Sequence, residues 1–328
     1  MAEIPTGQSV NGAITSAAFC PVATRGHRSL WRKSLRRVRR SGHFAFLIPG
    51  LLFLGALTLF PLVQMIRLSF SNVTGTNLLG HWSYVGLANL SALVHSPGFR
   101  TAIYTSLIFT GCLLAVNLFL GFTAARWFTQ PTRISKIAQG VMILGFAMPG
   151  VVVGTIWRFL LGDSGVINAM LNFVGIGPVP FLSSARLALY SMIAVTAWGG
   201  IPFAMMVLKG SLLGIPKDLV EAAQLDGARP AAITRWVILP LLRPVFLILG
   251  LLIIVYGFGN SFALIYIVTQ GGPGTATTTV PYFAYLYAFT NLQFSLGAAV
   301  ALLTMMVVII VTIAYVRVTH KVEEGQRV

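Results

Sequence analysis

Charged residues are scarce in this chain. Only 9% of its 328 residues are Asp, Glu, Lys or Arg, whereas 56% are hydrophobic. A soluble domain carries roughly 25% charged residues, so the composition excludes an ordinary soluble protein of this length and indicates the membrane class. Acidic residues are the rarest, with 7 against 23 basic residues and a net charge of +16.

Motifs for catalysis and for metal binding are also missing. The sequence contains no G-x-x-x-x-G-K-[S/T] phosphate loop, so the chain is not expected to hydrolyse ATP itself. Its two cysteines, Cys20 and Cys112, lie in a polar stretch and an apolar run, and no disulfide is expected between them. The five histidines fall in predicted loops or tails. The sequence therefore predicts neither an enzyme nor a metal site.

Long uncharged segments dominate the remainder of the sequence. A helix that crosses a bilayer needs about 20 mostly apolar residues. Six segments qualify: Phe44–Ile66, Thr101–Ala125, Ile137–Trp157, Leu187–Leu208, Pro244–Val268 and Phe294–Val316. Six such helices in one chain of this size could not all be covered by protein. We therefore predict an all-α polytopic membrane protein with six transmembrane helices.

The basic residues predict the orientation of these helices. All of the Lys and Arg residues except Arg67, Arg100, Arg158 and Arg186 fall on one side of the predicted membrane. The positive-inside rule then places both termini in the cytoplasm, with membrane lipid around the spans. Because topology accounts for the basic excess, no nucleic-acid partner is expected.

The predicted spans contain no ionisable Asp, Glu, Lys or Arg. Ion-coupled carriers usually keep such a residue within the bilayer, despite a cost of about 2.5–3.5 kcal/mol. An ion-coupled secondary transporter is therefore the weaker alternative. An uncharged pathway suits a neutral, hydroxyl-rich solute.

The loop between the fourth and fifth spans has features of a protein-docking element. Pro216 suits the first turn of a helix and Gly227 suits its left-handed C-cap. Small and apolar side chains are predicted to form one face of this helix: Leu219, Ala222, Ala223 and Leu225. Pro230 then opens a second helix. Docking into a groove on another protein is the hypothesis, and an ordinary solvated loop is the alternative.

The same loop carries a family resemblance. Glu221-Ala222-Ala223-x-x-x-Gly227, followed after nine residues by Val237-Ile238-Leu239-Pro240, resembles the EAA motif of binding-protein-dependent ABC importer permeases. The extension Leu225-Asp226-Gly227-Ala228 and the trailing Leu239-Pro240-x-x-x-Pro244 resemble the carbohydrate-uptake branch, the maltose/glycerol-3-phosphate type. An ABC permease for a non-sugar solute is the alternative within this resemblance.

The resemblance implies a type I ABC importer permease in the bacterial inner membrane. Its domains would be a basic cytoplasmic tail (1–43), a first transmembrane helix (44–68), a five-helix core (97–317) with the EAA coupling loop (214–240), and a cytoplasmic C-terminal tail (318–328). The partners would be a second homologous permease, an ATPase subunit dimer and an extracytoplasmic solute-binding protein. ATP and Mg would bind to the ATPase, with no cofactor in this chain. The implied ATPase-coupling residues are Glu221, Ala222, Ala223, Asp226, Gly227, Leu239 and Pro240.

Polar, aromatic and small residues in the fourth and fifth spans are candidates for the solute pathway. They are Thr196, Gly200, Phe203, Tyr256, Gly257 and Asn260. Aromatic rings and amides contact sugar faces and hydroxyls, and small residues leave space between helices. These stretches also fall where the resembled family lines its pathway. Ordinary helix packing is the alternative for each residue.

Overall fold

The structure is a computed structural model that describes residues 29–130, 132–259 and 261–326. Thirteen α-helices account for most of it: α1 Ser29–Ser69, α2 Ala88–His95, α3 Pro97–Phe128, α4 Arg133–Phe146, α5 Gly150–Leu161, α6 Val166–Phe173, α7 Leu187–Leu213, α8 Lys217–Leu225, α9 Pro230–Ile233, α10 Leu239–Gly259, α11 Phe262–Val268, α12 Val280–Tyr285 and α13 Phe294–Gln326. Two π-helical turns, Thr234–Ile238 and Leu286–Thr290, connect α9 to α10 and follow α12. Strands β1 (Ser71–Asn72) and β2 (Ser83–Tyr84) form one antiparallel pair, with Ser71 opposite Tyr84.

Six helical segments of the described chain are long and apolar enough to cross a membrane. They are Ile48–Ser69, Pro97–Phe128, Gly150–Phe173, Leu187–Leu213, Pro230–Gly259 and Phe294–Arg317. The predicted number of spans and the all-α class are confirmed.

The limits of two predicted spans were wrong. The predicted third span, residues 137–157, is interrupted between Phe146 and Gly150. Pro149 lies in that break with a ψ of 136°, and a proline disfavours helical geometry in the residue before it. The predicted fifth span began too late and ended too late, because the helical segment starts at Pro230 and α10 ends at Gly259.

The chain divides into two units, residues 1–60 and 61–328. The predicted basic tail lies outside the described residues as far as residue 28. From Ser29 the tail is helical and belongs to α1, so the predicted boundary at residue 43 falls inside a helix. At the other end, α13 extends to Gln326, beyond the predicted boundary at residue 317.

Helix α3 lies at the centre of the second unit. Its Phe109 and Leu113 pack in one buried cluster with Met192 of α7 and Ile265 of α11. Its C-terminal half packs against α7 and α10 in a second buried cluster: Ala125, Phe128, Ala204, Met205, Leu208 and Leu249. Within this second cluster the backbones of α3 and α7 approach closely, since a β-carbon built on Gly121 would lie 2.7 Å from the β-carbon of Ala204. Small residues permit such approach in membrane helices, where it gives dense packing.

Candidate functional site

The predicted docking helix is present as α8, and it ends in the predicted turn. The amide of Ala228 donates to the carbonyl of Ala223 at 3.0 Å, and the amide of Gly227 donates to the carbonyl of Gln224 at 3.0 Å. These two bonds define a Schellman motif, whose left-handed position is usually glycine. Gly227 has a φ of +77°, so its predicted role as a C-cap is confirmed.

Most predicted coupling residues lie on the surface of the described chain. Glu221, Ala222, Asp226, Gly227, Leu239 and Pro240 are exposed, and Ala223 is half-buried. Leu225 is 89% exposed and Trp236 is 71% exposed. The predicted apolar face of α8 is therefore divided, because Leu219 and Leu225 are exposed whereas Ala223 is partly covered. Exposed large apolar side chains grouped on one loop are typical of an interaction surface.

A contact that the sequence did not reveal ties this loop to α3. The guanidinium of Arg126, in the last turn of α3, donates to the hydroxyl of Thr234. That hydroxyl donates in turn to the carbonyl of Pro230 at 2.8 Å. Arg126 also lines the crevice beneath α8 together with Val220 and Gln224. The loop is thus connected to α3 by a charge-assisted hydrogen bond as well as to α10 through the chain itself.

A cavity of about 340 Å³ lies between α3, α4, α5, α7, α10 and α11. Four of the predicted pathway residues line it: Thr196, Gly200, Phe203 and Tyr256. Gly257 does not line it and lies instead where α10 meets α3, because a β-carbon there would overlap the hydroxyl of Thr110. Asn260 lies outside the described residues.

Aromatic and uncharged polar groups characterise the cavity wall. The rings of Phe146 and Phe203 stack with their centroids 6.0 Å apart. Polar side chains come from Asn117, Thr196 and Tyr256, and no described lining residue is charged. Such a wall can cover the apolar face of a small solute and bind a few of its hydroxyl groups.

Two of the lining residues that the sequence did not predict, Asn117 and Phe146, were missed for different reasons. Asn117 of α3 carried a usable signal, because an amide in the middle of an apolar membrane helix is costly without a function. Phe146 carried none, since an aromatic residue in an apolar run is ordinary. Only the packing of α4 against α7 brings its ring beside Phe203.

Threonine hydroxyls fold the loop between α11 and α12 back on itself. The hydroxyls of Thr269 and Thr277 lie 2.7 Å apart, and Thr277 donates to the carbonyl of Gly272 at 2.9 Å. Tyr282, at the start of α12, is 4% exposed and stacks on Phe262 with a centroid distance of 6.1 Å. This tyrosine therefore packs inside the protein.

Comparison with known proteins agrees with this architecture. The family described as binding-protein-dependent transport system inner membrane component matches residues 117–324. The chain is 32% identical to the sn-glycerol-3-phosphate transport system permease protein UgpA of Yersinia enterocolitica over 239 residues, which cover 73% of this chain and 81% of that protein. It is 28% identical to the trehalose/maltose transport system permease protein MalF of Thermococcus litoralis over 236 residues, 72% of this chain and 79% of that one.

A solved structure has the same fold. It belongs to a bacterial ABC transporter involved in the import of the acidic polysaccharide alginate, with a TM-score of 0.75 at 20% identity over 89% of this chain and 98% of that one. The likeness to this structure concerns the fold, whereas the family match and the identity to UgpA show what kind of subunit the chain is. The protein belongs to the binding-protein-dependent transport system inner membrane components, and it is a permease subunit of an ABC importer rather than an enzyme.

Proposed function

We propose that this permease forms, with a second homologous permease, the pathway for a neutral sugar or sugar-like solute. The observation that carries the proposal is the uncharged cavity with aromatic and polar walls, bounded by the helices that continue into the coupling loop. Membership of the importer family removes the ion-coupled carrier as an alternative.

The chemistry of the cavity favours a neutral solute. Its described lining contains hydroxyl and amide groups and aromatic rings but no cation, so a phosphate ester or a carboxylate would find no opposite charge there. A sugar ring has an apolar face that packs on aromatic rings and hydroxyls that pair with uncharged polar groups. Of the solutes that the relatives are named for, this favours trehalose or maltose over sn-glycerol-3-phosphate.

Energy would enter through α8. We propose that Glu221, Ala222, Ala223, Asp226, Gly227, Leu239 and Pro240 seat in a cleft of an ATPase subunit, which belongs to a dimer holding ATP and Mg. The exposure of α8 and the exposed side chains of Leu225 and Trp236 support this contact. Closure of the dimer would move α8, and Arg126 and the π-helical turn would pass that motion to α3 and α10. Alternating access by rigid-body motion follows.

The remaining partners and the orientation follow from the family and the charge distribution. An extracytoplasmic solute-binding protein would deliver the solute at the side opposite α8. Both termini would lie in the cytoplasm with the coupling loop, since nearly all basic residues fall on that side. Membrane lipid would cover the outward faces of the spans.

Uptake by the reconstituted importer tests the proposal. The chain would be assembled in proteoliposomes with its partner permease, ATPase and binding protein, and supplied with labelled maltose, trehalose, sn-glycerol-3-phosphate or methionine. We expect uptake of a neutral disaccharide that requires Mg-ATP and that a proton or sodium gradient cannot replace. Uptake of methionine alone would contradict the solute class, and uptake without ATP would contradict the mechanism.

A charge reversal at Glu221 tests the coupling contact. In the proposed contact, Glu221 pairs with a basic group of the ATPase. Glu221→Lys should lower ATP-dependent uptake by about 10-fold or more, because two positive charges would then face each other in the ATPase cleft. Asp218→Lys is the matched control, since Asp218 is also an exposed acid of α8 but lies outside the coupling set. Equal losses in the two variants would show that net charge, and not the Glu221 contact, matters.

A further inference from the structure

The carboxamide oxygen of Asn117 is a buried acceptor without a partner in the described part of the chain. The residue is 5% exposed, and its Oδ1 atom accepts no hydrogen bond from the described part of the chain. It lines the cavity beside Gly200, where a β-carbon would lie 2.8 Å from Nδ2 and 3.0 Å from Oδ1. Gly200 thus leaves the space that the carboxamide occupies, and the amide remains at the cavity wall.

A buried acceptor that finds no donor destabilises the folded state, because it has given up its hydrogen bonds to water. Such a cost is expected to be offset where the group meets a ligand. The neighbouring polar side chains are less suited to this task. Thr196 already donates its hydroxyl hydrogen to the carbonyl of Met192 at 2.8 Å, so it can only accept. Tyr256 has one hydroxyl, whereas the carboxamide of Asn117 offers a donor and an acceptor side by side.

We propose that Asn117 is a specificity-determining residue that holds the solute in the cavity through a pair of hydrogen bonds to a vicinal diol. With solute bound, the carboxamide turns so that its carbonyl oxygen, which is buried in this structure, accepts from one hydroxyl, while its NH₂ group donates to the oxygen of the neighbouring hydroxyl. The stacked rings of Phe146 and Phe203 cover the apolar face of the same solute. The inference rests on the proposed function, in that it requires a hydroxyl-rich solute.

Helix α3 contains a natural control for this inference. Thr110, two helical turns before Asn117, is 4% exposed, and its Oγ1 atom also lacks a partner within the described chain. Thr110 packs against Gly257 of α10 and does not line the cavity. A role in packing alone would apply equally to both residues, whereas a role in holding solute applies only to Asn117.

The experiment compares Asn117→Leu with Thr110→Val in the complete reconstituted importer. The probe is maltose or trehalose, whichever the native importer carries, supplied on saturating binding protein so that docking does not limit the rate. Asn117→Leu should lower probe flux by about 10-fold, the equivalent of one to two lost hydrogen bonds. The number of ATP molecules hydrolysed per probe carried should rise, because closure would proceed without a held solute. Thr110→Val should leave both quantities within about twofold.

Analogues of the probe that lack single hydroxyls complete the test. If Asn117 binds a diol, the native importer should carry at least one deoxy analogue more slowly than the parent sugar. The Asn117→Leu importer should carry that analogue and the parent sugar at the same rate, since the variant has already lost the hydrogen bonds that the analogue cannot make. Asn117→Ser, which adds no bulk, should show an intermediate flux and serves if the leucine variant does not assemble. Equal losses for every analogue, or unchanged flux in the serine variant, would overturn the inference. A native importer that carries no sugar would overturn the proposed function as well.

Discussion

Replacing Gly227 with valine should abolish ATP-dependent uptake while the amount of chain in the membrane stays normal. Gly227 has a φ of +77° at the end of α8, and a β-branched residue there costs roughly 1–2 kcal/mol. The Schellman motif would open, and α8 would no longer present Glu221 in a fixed direction. Uptake into proteoliposomes and immunoblots of membrane fractions measure the two quantities.

Two controls separate the possible causes of this loss. Gly175 also has a positive φ, +81°, and it is likewise open on the side of a β-carbon, but it lies far from α8 along the chain, between α6 and α7. Gly175→Val should therefore reproduce the strain without the loss of uptake. Asparagine tolerates left-handed geometry, so loss of uptake in Gly227→Asn would indicate close approach of the ATPase backbone rather than strain. Normal uptake in Gly227→Val would refute the coupling role of this turn.

Gly121→Val is expected to destabilise the folded chain strongly. A β-carbon at this position would lie 2.7 Å from the β-carbon of Ala204 and 3.4 Å from the backbone of Ala204 and Met205. Backbone atoms cannot move aside as a flexible side chain can, so α3 and α7 would have to separate. Overpacking of this kind typically costs about 1–3 kcal/mol or more, a large part of the roughly 5–15 kcal/mol that stabilises a folded protein.

Gly111 of the same helix provides the comparison. A β-carbon on Gly111 would have no atom within 4 Å, so Gly111→Val tests the intrinsic effect of valine in α3 without the clash. In detergent, the height of the monodisperse size-exclusion peak and the melting temperature should both be lower for Gly121→Val than for the native chain. Both should remain near the native values for Gly111→Val. Equal behaviour of the two variants would contradict the close α3–α7 contact.

Much of the architecture could be predicted because its signals are local. A bilayer requires a minimum length of apolar helix, so six spans could be counted from hydrophobic runs alone. Proline at position 216 and glycine at position 227 likewise specified α8 to within one residue at its start and gave its left-handed end. The break at Pro149 was missed because a run of apolar residues masks an interruption of only a few residues.

Sequence patterns alone were enough to assign the membrane class, to count six membrane-spanning helices and to predict a short helix that ends in a glycine turn. Each depends on residues that are neighbours along the chain. Only the tertiary structure placed Asn117 and Phe146 in one cavity, excluded Gly257 from its wall and joined Arg126 to Thr234. These relations depend on how closely separate helices approach and on their rotation about their axes. The side chains of two or more helices together set the distance between the helices and their rotation. The sequence of one apolar segment therefore does not predict either quantity.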